Sequence, residues 1–177
     1  AIKTAEPFLP AGTVIAREQT YVHTFYKKEA TAQQPATSKE EGNLVAFSGP
    51  DFKATFDKQS GLLTSYLYKK HEYILNGQGP RPFFWRAPTD NDYGANLPVR
   101  LKAWKEASYQ EPKAESFQVT PGSNATTIKV TYRFPQTDAR WDITYKIYAS
   151  GVIKVDNRFV AEGDQAPMIP RVGLRMQ

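Results

Sequence analysis

Three stretches in the second half of the chain alternate apolar and polar side chains with a period of two residues, and this pattern constrains the fold most strongly. They run from Thr126 to Phe134, from Arg140 to Tyr148 and from Gly151 to Val160. In the second stretch the four apolar residues from Trp141 to Ile147 share one face, and the polar residues between them share the other. One buried face and one solvated face are typical of an antiparallel sheet.

Earlier segments add shorter strands and one helical pattern. Phe52, Ala54 and Phe56 alternate in the same way, and Gly61 closes a turn that favours a positive φ. Between Asn96 and Tyr109, apolar residues recur at helical spacing. Regularly spaced short strands with a single helix predict an all-β fold, an antiparallel β-sandwich with one short helix.

The domain organisation is predicted from length and from a polar interruption. The chain has 177 residues, which corresponds to about one domain and a remnant. Residues 27–42 carry almost no apolar bulk and are interpreted as a linker or exposed loop. We therefore expect residues 1–26 to be the tail of a preceding β-sandwich domain, and residues 43–177 to form the main domain.

Composition excludes several classes of protein. The chain has no Cys and two His, His23 and His71, so a cysteine-ligated or histidine-rich metal site is not expected within it. No apolar run approaches the roughly 20 residues that span a bilayer, and no membrane partner is expected.

The net charge of the chain is +5, which raises the alternative of a nonspecific basic binder of nucleic acid. Tyr66, Tyr68 and Tyr73 near Lys69 and Lys70 support that alternative, but the basic residues are interspersed with acidic ones along the whole chain, so we expect no nucleic-acid partner.

The segment from Gly79 to Gly94 concentrates unusual residues and has two interpretations. In the functional one, aromatic faces and polar groups together suit a polyhydroxylated ligand. In the structural one, a strand ends in a turn in which Asp and Asn cap backbone N–H groups and Arg86 pairs with a carboxylate. The candidate residues are Phe84, Trp85, Arg86, Asp90, Asn91, Asp92 and Tyr93.

Asp90 and Asp92 are a possible carboxylate pair. Counted from Asp90, an EF-hand loop would need Gly and Glu where Ala95 and Leu101 stand, so that calcium motif is excluded. Glycosidase chemistry requires a defined separation between two carboxylates, which two loop residues would satisfy only by chance. We predict no catalytic residue, no metal ligand and no cofactor within this chain.

The string from Trp85 to Gly94, with Trp104 to Ala107 beyond it, resembles the start of the C-terminal small-chain domain of large bacterial β-galactosidases of glycoside hydrolase family 2. The hairpin from Phe56 to Leu63 and the stretch from Pro170 to Leu174 resemble the same domain. Residues 1–26 resemble the end of the immunoglobulin-like domain that precedes it. The resemblance implies a truncated sandwich of the galactose-mutarotase-like supersandwich type.

The same resemblance implies where the chemistry of the parent enzyme lies. Two catalytic glutamates and Mg²⁺ belong to a separate TIM-barrel domain, where β-galactosides are hydrolysed with retention. The expected partners are that barrel, the other domains of a homo-oligomeric parent and the galactoside substrate, and the fragment alone should be inactive. The compartment, bacterial cytoplasm or periplasm, is left open.

A role for the unusual segment also follows from the resemblance. Residues 90–97 are expected to help close the mouth of the galactose site, with Arg86 and Asp92 fixing their base. The alternative is a freestanding carbohydrate-binding module, in which Phe84, Trp85 and Tyr93 form an exposed stacking surface.

Overall fold

Two antiparallel sheets dominate the computed structural model, which describes residues 2–14, 16, 35–163 and 168–177. The strands are β1 (Thr37–Glu41), β2 (Leu44–Ser48), β3 (Phe52–Asp57), β4 (Leu63–Tyr68), β5 (His71–Glu72), β6 (Arg81–Phe83), β7 (Ser116–Thr120), β8 (Thr126–Phe134), β9 (Ala139–Ile147), β10 (Ile153–Ala161) and β11 (Gly173–Arg175). Strands β1 to β5 form a five-stranded sheet in chain order, and the four-stranded sheet has the order β10-β9-β8-β7. A third sheet pairs β6 with β11.

The core lies between the inner faces of the two large sheets. Phe52, Ala54 and Phe56 on β3 are buried, and so is every second residue of β9 from Ala139 to Ile147. The rings of Phe56 and Tyr145 meet across the interface with centroids 5.1 Å apart. The predicted all-β antiparallel sandwich is therefore confirmed, with the predicted faces of β3 and β9 turned inward.

The single helix predicted between Asn96 and Tyr109 is instead two short helices, and a third short helix precedes them. The three helices are α1 (Asp90–Gly94), α2 (Leu97–Arg100) and α3 (Lys102–Tyr109). Asn96 has a left-handed φ of 54° and separates α1 from α2, and Pro98 lies in the first turn of α2, where a missing N–H costs nothing. Short 3₁₀ helices also occur at Leu75–Gly77 and Pro135–Thr137. Within the described residues, no helix has the length and apolar character needed to cross a bilayer.

The helices cover the end of the four-stranded sheet through Phe84. This residue follows β6 and is fully buried. Its ring lies 4.8 Å from that of Trp104 on α3, 5.0 Å from Phe134 on β8 and 5.4 Å from Trp141 on β9. The backbone N–H of Phe84 donates to Ser108 Oγ over 2.9 Å, so α3 and the segment after β6 are joined by a buried hydrogen bond as well as by ring packing.

Three predictions need correction or fall outside the description. The linker predicted over residues 27–42 is wrong for Thr37–Glu41, which pairs with β2 along its whole length. Its side chains are all exposed, so no apolar alternation marked it as a strand.

The alternation of buried and exposed residues expected from Gly151 to Val160 is also wrong, because Lys154 to Arg158 are all exposed. Of the predicted tail, residues 2–14 form a turn closed by the Ile2 N–H and the Thr13 carbonyl, and residues 17–26 lie outside the described residues.

Gly79 allows the chain to approach β4 closely before it enters β6. A Cβ atom at this position would lie 1.8 Å from the backbone oxygen of Leu63, a distance that no side-chain rotation can relieve. We expect Gly79→Ala to lower the free energy of unfolding by about 2 kcal/mol or more, measured by urea denaturation.

Gly94→Ala is the matched control, since a Cβ atom there meets nothing within 4 Å. It should leave the free energy of unfolding within about 1 kcal/mol of the wild-type value. Equal effects of the two substitutions would contradict the close approach at Gly79.

Candidate functional site

The segment from Trp85 to Leu101 leaves the core at Phe84 and crosses the surface as α1 and α2. Trp85 is still buried, with 7% of its surface exposed, and Lys105 Nζ lies 5.9 Å from the centroid of its ring. From Arg86 onward the chain turns outward. The polar residues of the segment are thus presented from an apolar base.

Arg86 and Asp92 brace this segment with a two-pronged ion pair. Nη1 of Arg86 donates to Oδ2 of Asp92 over 2.6 Å, and Nη2 donates to Oδ1 over 2.8 Å. The backbone N–H and the hydroxyl of Thr89 donate to the same Oδ2, over 2.7 and 3.0 Å. Because Asp92 lies on α1 and Thr89 immediately precedes it, these bonds cap the first turn of the helix. Both carboxylate oxygens of Asp92 are therefore engaged.

These bonds hold Asp92 in its charged form. The hydrogen bonds from Arg86, and then that from the Thr89 backbone, lower the pKa of Asp92 from 3.8 to about 2, against the opposing effect of desolvation. The same pair raises the pKa of Arg86. A carboxylate with so low a pKa is a poor general acid near neutral pH.

The remaining candidates on α1 face solvent. Asp90 and Asn91 are exposed, and Tyr93 has 64% of its surface exposed. The structure therefore separates the candidates into two groups. Arg86 and Asp92 form the brace, and Asp90, Asn91 and Tyr93 form the exposed face of the helix that it holds.

A shallow groove of about 220 Å³ runs beside the brace. Its walls are mostly apolar, with Arg86 and Asp92 as the polar side chains, and they include Trp85, Leu97, Leu101 and Ile169. Ligand sites that enclose a small molecule typically measure about 300–1,000 Å³. The groove is thus smaller than a complete site of that kind.

The stacking surface required by the binding-module interpretation is not present as predicted. Phe84 and Trp85 are buried, and Tyr93 alone of the three is exposed. The physical reason is that Phe84 fills the space over Trp141 and Phe134, so its ring belongs to the core. The sequence analysis did not assign Met168, Ile169 or Pro170 to the site, because only the fold brings them to the groove.

The fold defines an antiparallel β-sandwich domain with a braced helical segment at one end. Residues 48–177 match the family described as beta galactosidase small chain, and the chain belongs to that family.

The chain is similar to several bacterial proteins. It is 32% identical over 144 residues to a β-galactosidase of Priestia megaterium, covering 81% of this chain and 14% of that protein. It is 33% identical over 131 residues to a β-galactosidase of Clostridium acetobutylicum, covering 73% and 14%. It is 29% identical over 153 residues to a β-galactosidase small subunit of Latilactobacillus sakei, covering 74% and 46%. The chain thus spans about a seventh of the first two relatives and about half of the third.

The brace predicts a pH-dependent contribution to stability. Since the pKa of Asp92 is lower in the folded state than its ordinary value of 3.8, the ion pair stabilises the fold fully above about pH 4 and less as the pH falls toward about 2. Asp92→Asn should therefore lower the melting temperature at pH 6, and the gap from wild type should narrow between pH 5 and pH 2.

Asp90→Asn serves as the matched control, because it removes an exposed carboxylate from the same helix. It should leave the melting temperature at pH 6 close to that of the wild type. If the difference in melting temperature between the wild type and Asp92→Asn stayed constant down to pH 2, the proposed stabilisation by the ionised Asp92 would be contradicted.

Proposed function

We propose that this chain is a noncatalytic β-sandwich portion of a bacterial β-galactosidase of glycoside hydrolase family 2, which hydrolyses terminal β-D-galactosides with retention. The proposal is supported by the family match and by relatives that are themselves β-galactosidases. The chain would support the catalytic barrel of the parent and supply part of the rim of the substrate pocket. We further propose that the parent is a homo-oligomer.

The geometry of the brace is the observation that carries this proposal. Retaining hydrolysis requires two carboxyl groups about 5–5.5 Å apart, one of which must act as an acid. Asp92 is held ionised by Arg86 and Thr89, with both of its oxygens engaged. Such a residue suits a positioning role, which supports the view that the catalytic carboxylates come from another part of the parent.

The small volume of the groove also supports the proposal that this segment forms part of a pocket rim. At about 220 Å³ it is too small to enclose a ligand by itself, yet the exposed face of α1 stands beside it. A second surface placed against α1 would deepen the groove, and the polar side chains of Asp90 and Asn91 would then line the enlarged pocket. We expect that surface to be the barrel of the parent.

Metal binding is assigned to the rest of the parent in this proposal. Within residues 2–14, 16, 35–163 and 168–177, no three His, Asp or Glu side chains are grouped closely enough to hold a metal ion. The family resemblance places the Mg²⁺ in the barrel domain of the parent, and we propose that it binds there.

A freestanding carbohydrate-binding module is the second candidate, and the exposure of Tyr93 favours it. One exposed ring offers a smaller stacking area than the three that the sequence suggested. The burial of Phe84 and Trp85 therefore favours a role in the pocket rim over a freestanding binding module.

The test uses the full-length parent enzyme with substitutions in the brace. Arg86→Lys keeps the charge but loses the two-pronged geometry, so α1 should lose its fixed position. We expect kcat/KM for a nitrophenyl β-galactoside to fall about tenfold or more, since small displacements of positioning groups have effects of this size. Asp92→Asn should act in the same direction.

Glu106→Gln is the matched control, because it breaks the exposed pair between Lys102 and Glu106 on α3. Surface pairs of this kind contribute little, and activity should be retained. Full activity with an unchanged melting temperature in both the Arg86 and the Asp92 variants would overturn the proposed role of this segment.

A further inference from the structure

The backbone N–H group of Phe84 is buried at the point where strand β6 ends. Within the described residues, β6 pairs with β11 as far as Phe83, which lies opposite Gly173. Phe84 is the next residue and has no exposed surface, and a buried N–H group without a partner is costly. Its partner is a side chain of α3, because the N–H of Phe84 donates to Oγ of Ser108 over 2.9 Å.

The hydroxyl of Ser108 is itself held in one direction. Ser108 has 1% of its surface exposed, and its hydroxyl donates to the backbone carbonyl of Trp104, one turn earlier in α3, over 2.7 Å. A hydroxyl has a single hydrogen to donate, so this bond commits it and leaves the oxygen to accept from Phe84. Because the bond to Trp104 is local to the helix, α3 orients the acceptor that Phe84 meets.

Two other residues of α3 contact the same segment, but through packing. The ring of Trp104 lies 4.8 Å from that of Phe84, and Lys105 Nζ lies 5.9 Å from the centroid of the Trp85 ring. Burial of apolar surface is non-directional, whereas an N–H···O hydrogen bond has a preferred angle. Of these three contacts, the bond to Ser108 is therefore the one that fixes the direction of the backbone.

The brace begins two residues beyond this bond. Arg86 meets Asp92 with both Nη atoms, over 2.6 and 2.8 Å, and such a two-pronged contact requires a defined direction of approach. The polar and charged residues that are buried in the described part of the chain are Asp92, Ser108, Thr126 and Thr137. Two of these four thus hold the segment between Phe84 and Asp92, one at each end.

We infer that Ser108 is a positioning residue for the candidate site, because its hydroxyl sets the direction in which the backbone leaves the core at Phe84 and so aligns Arg86 with Asp92. Ser108 does not line the groove and acts through the backbone between Phe84 and Arg86. Its effect on catalysis rests on the proposed function, in which the brace holds α1 at the rim of the substrate pocket.

The test substitutes Ser108→Ala in the 177-residue chain and follows the side-chain NMR signals of the brace. Ala is compatible with the helix and removes only the hydroxyl, so the N–H of Phe84 loses its partner. In the wild type, the hydrogen bonds from Arg86 and Thr89 lower the pKa of Asp92 from 3.8 to about 2. We expect this pKa, read from the carboxyl carbon of Asp92, to rise toward 3.8 in the variant, and the Nη signals of Arg86 to shift.

Ile128→Val is the matched control for a general loss of stability, because it removes one buried methylene group from β8. Ile128 is fully buried, and its neighbours on the adjacent strands are Val119 and Tyr145, neither of which belongs to the candidate site. The control should keep the wild-type pKa of Asp92 and the wild-type signals of Arg86. Urea denaturation of both variants shows how much stability each has lost.

The same two substitutions in the full-length parent separate this inference from the proposed function. We expect kcat/KM for a nitrophenyl β-galactoside to fall about fivefold or more in Ser108→Ala and to be retained in Ile128→Val. An altered brace in Ser108→Ala with wild-type kcat/KM would support positioning by Ser108 and would count against the pocket rim instead.

Two results in the 177-residue chain would overturn the role of Ser108. One is a pKa of Asp92 and a set of Arg86 signals that stay at their wild-type values in Ser108→Ala. The other is an equal change in Ile128→Val, because the brace would then respond to lost stability and not to the lost hydroxyl.

Discussion

The packing of one buried ring, that of Phe84, holds the parts of this domain together. Its ring contacts Trp104, Phe134, Trp141 and Phe159 at centroid distances of 4.8 to 5.9 Å. These four residues belong to α3, β8, β9 and β10. Loss of a buried aromatic side chain costs about 3–5 kcal/mol in other proteins, a large part of the stability of a domain. The helical segment therefore depends on this cluster for its attachment to the sandwich.

The position of the candidate site depends on the packing of the Phe84 cluster. Trp85 and Arg86 follow Phe84 directly, so the apolar base and the first member of the brace are placed by the core. Asp92 then closes the turn by accepting hydrogen bonds from Arg86 and from Thr89. A chain of contacts thus runs from the centre of the core to the exposed face of α1, and this arrangement suits a rim that must keep its shape beside another domain.

The sequence predicted the sandwich well because its strands carry alternating residues whose buried face is the core. Trp141 and Ile143 are clear examples. The sequence did not predict β1 as a strand, because all of its residues are exposed. This stretch is a strand because it pairs with β2 and not because it is buried. Residue chemistry alone predicted that Arg86 pairs with a carboxylate, and the family resemblance indicated Asp92; the bidentate geometry of that pair depends on the helical turn of α1. The burial of Phe84 and Trp85, and the approach of Ile169 to the groove, depend on contacts between residues distant in the sequence.

The most direct test of the account is an NMR titration of the chain with galactose that follows the indole N–H signals. Trp85 lines the groove, and the buried Trp104 and Trp141 are internal references. If the segment is a rim that another domain completes, no indole signal should shift in a saturable way up to high millimolar galactose. A saturable shift at Trp85 would contradict the account, because the chain would then carry a sugar site of its own.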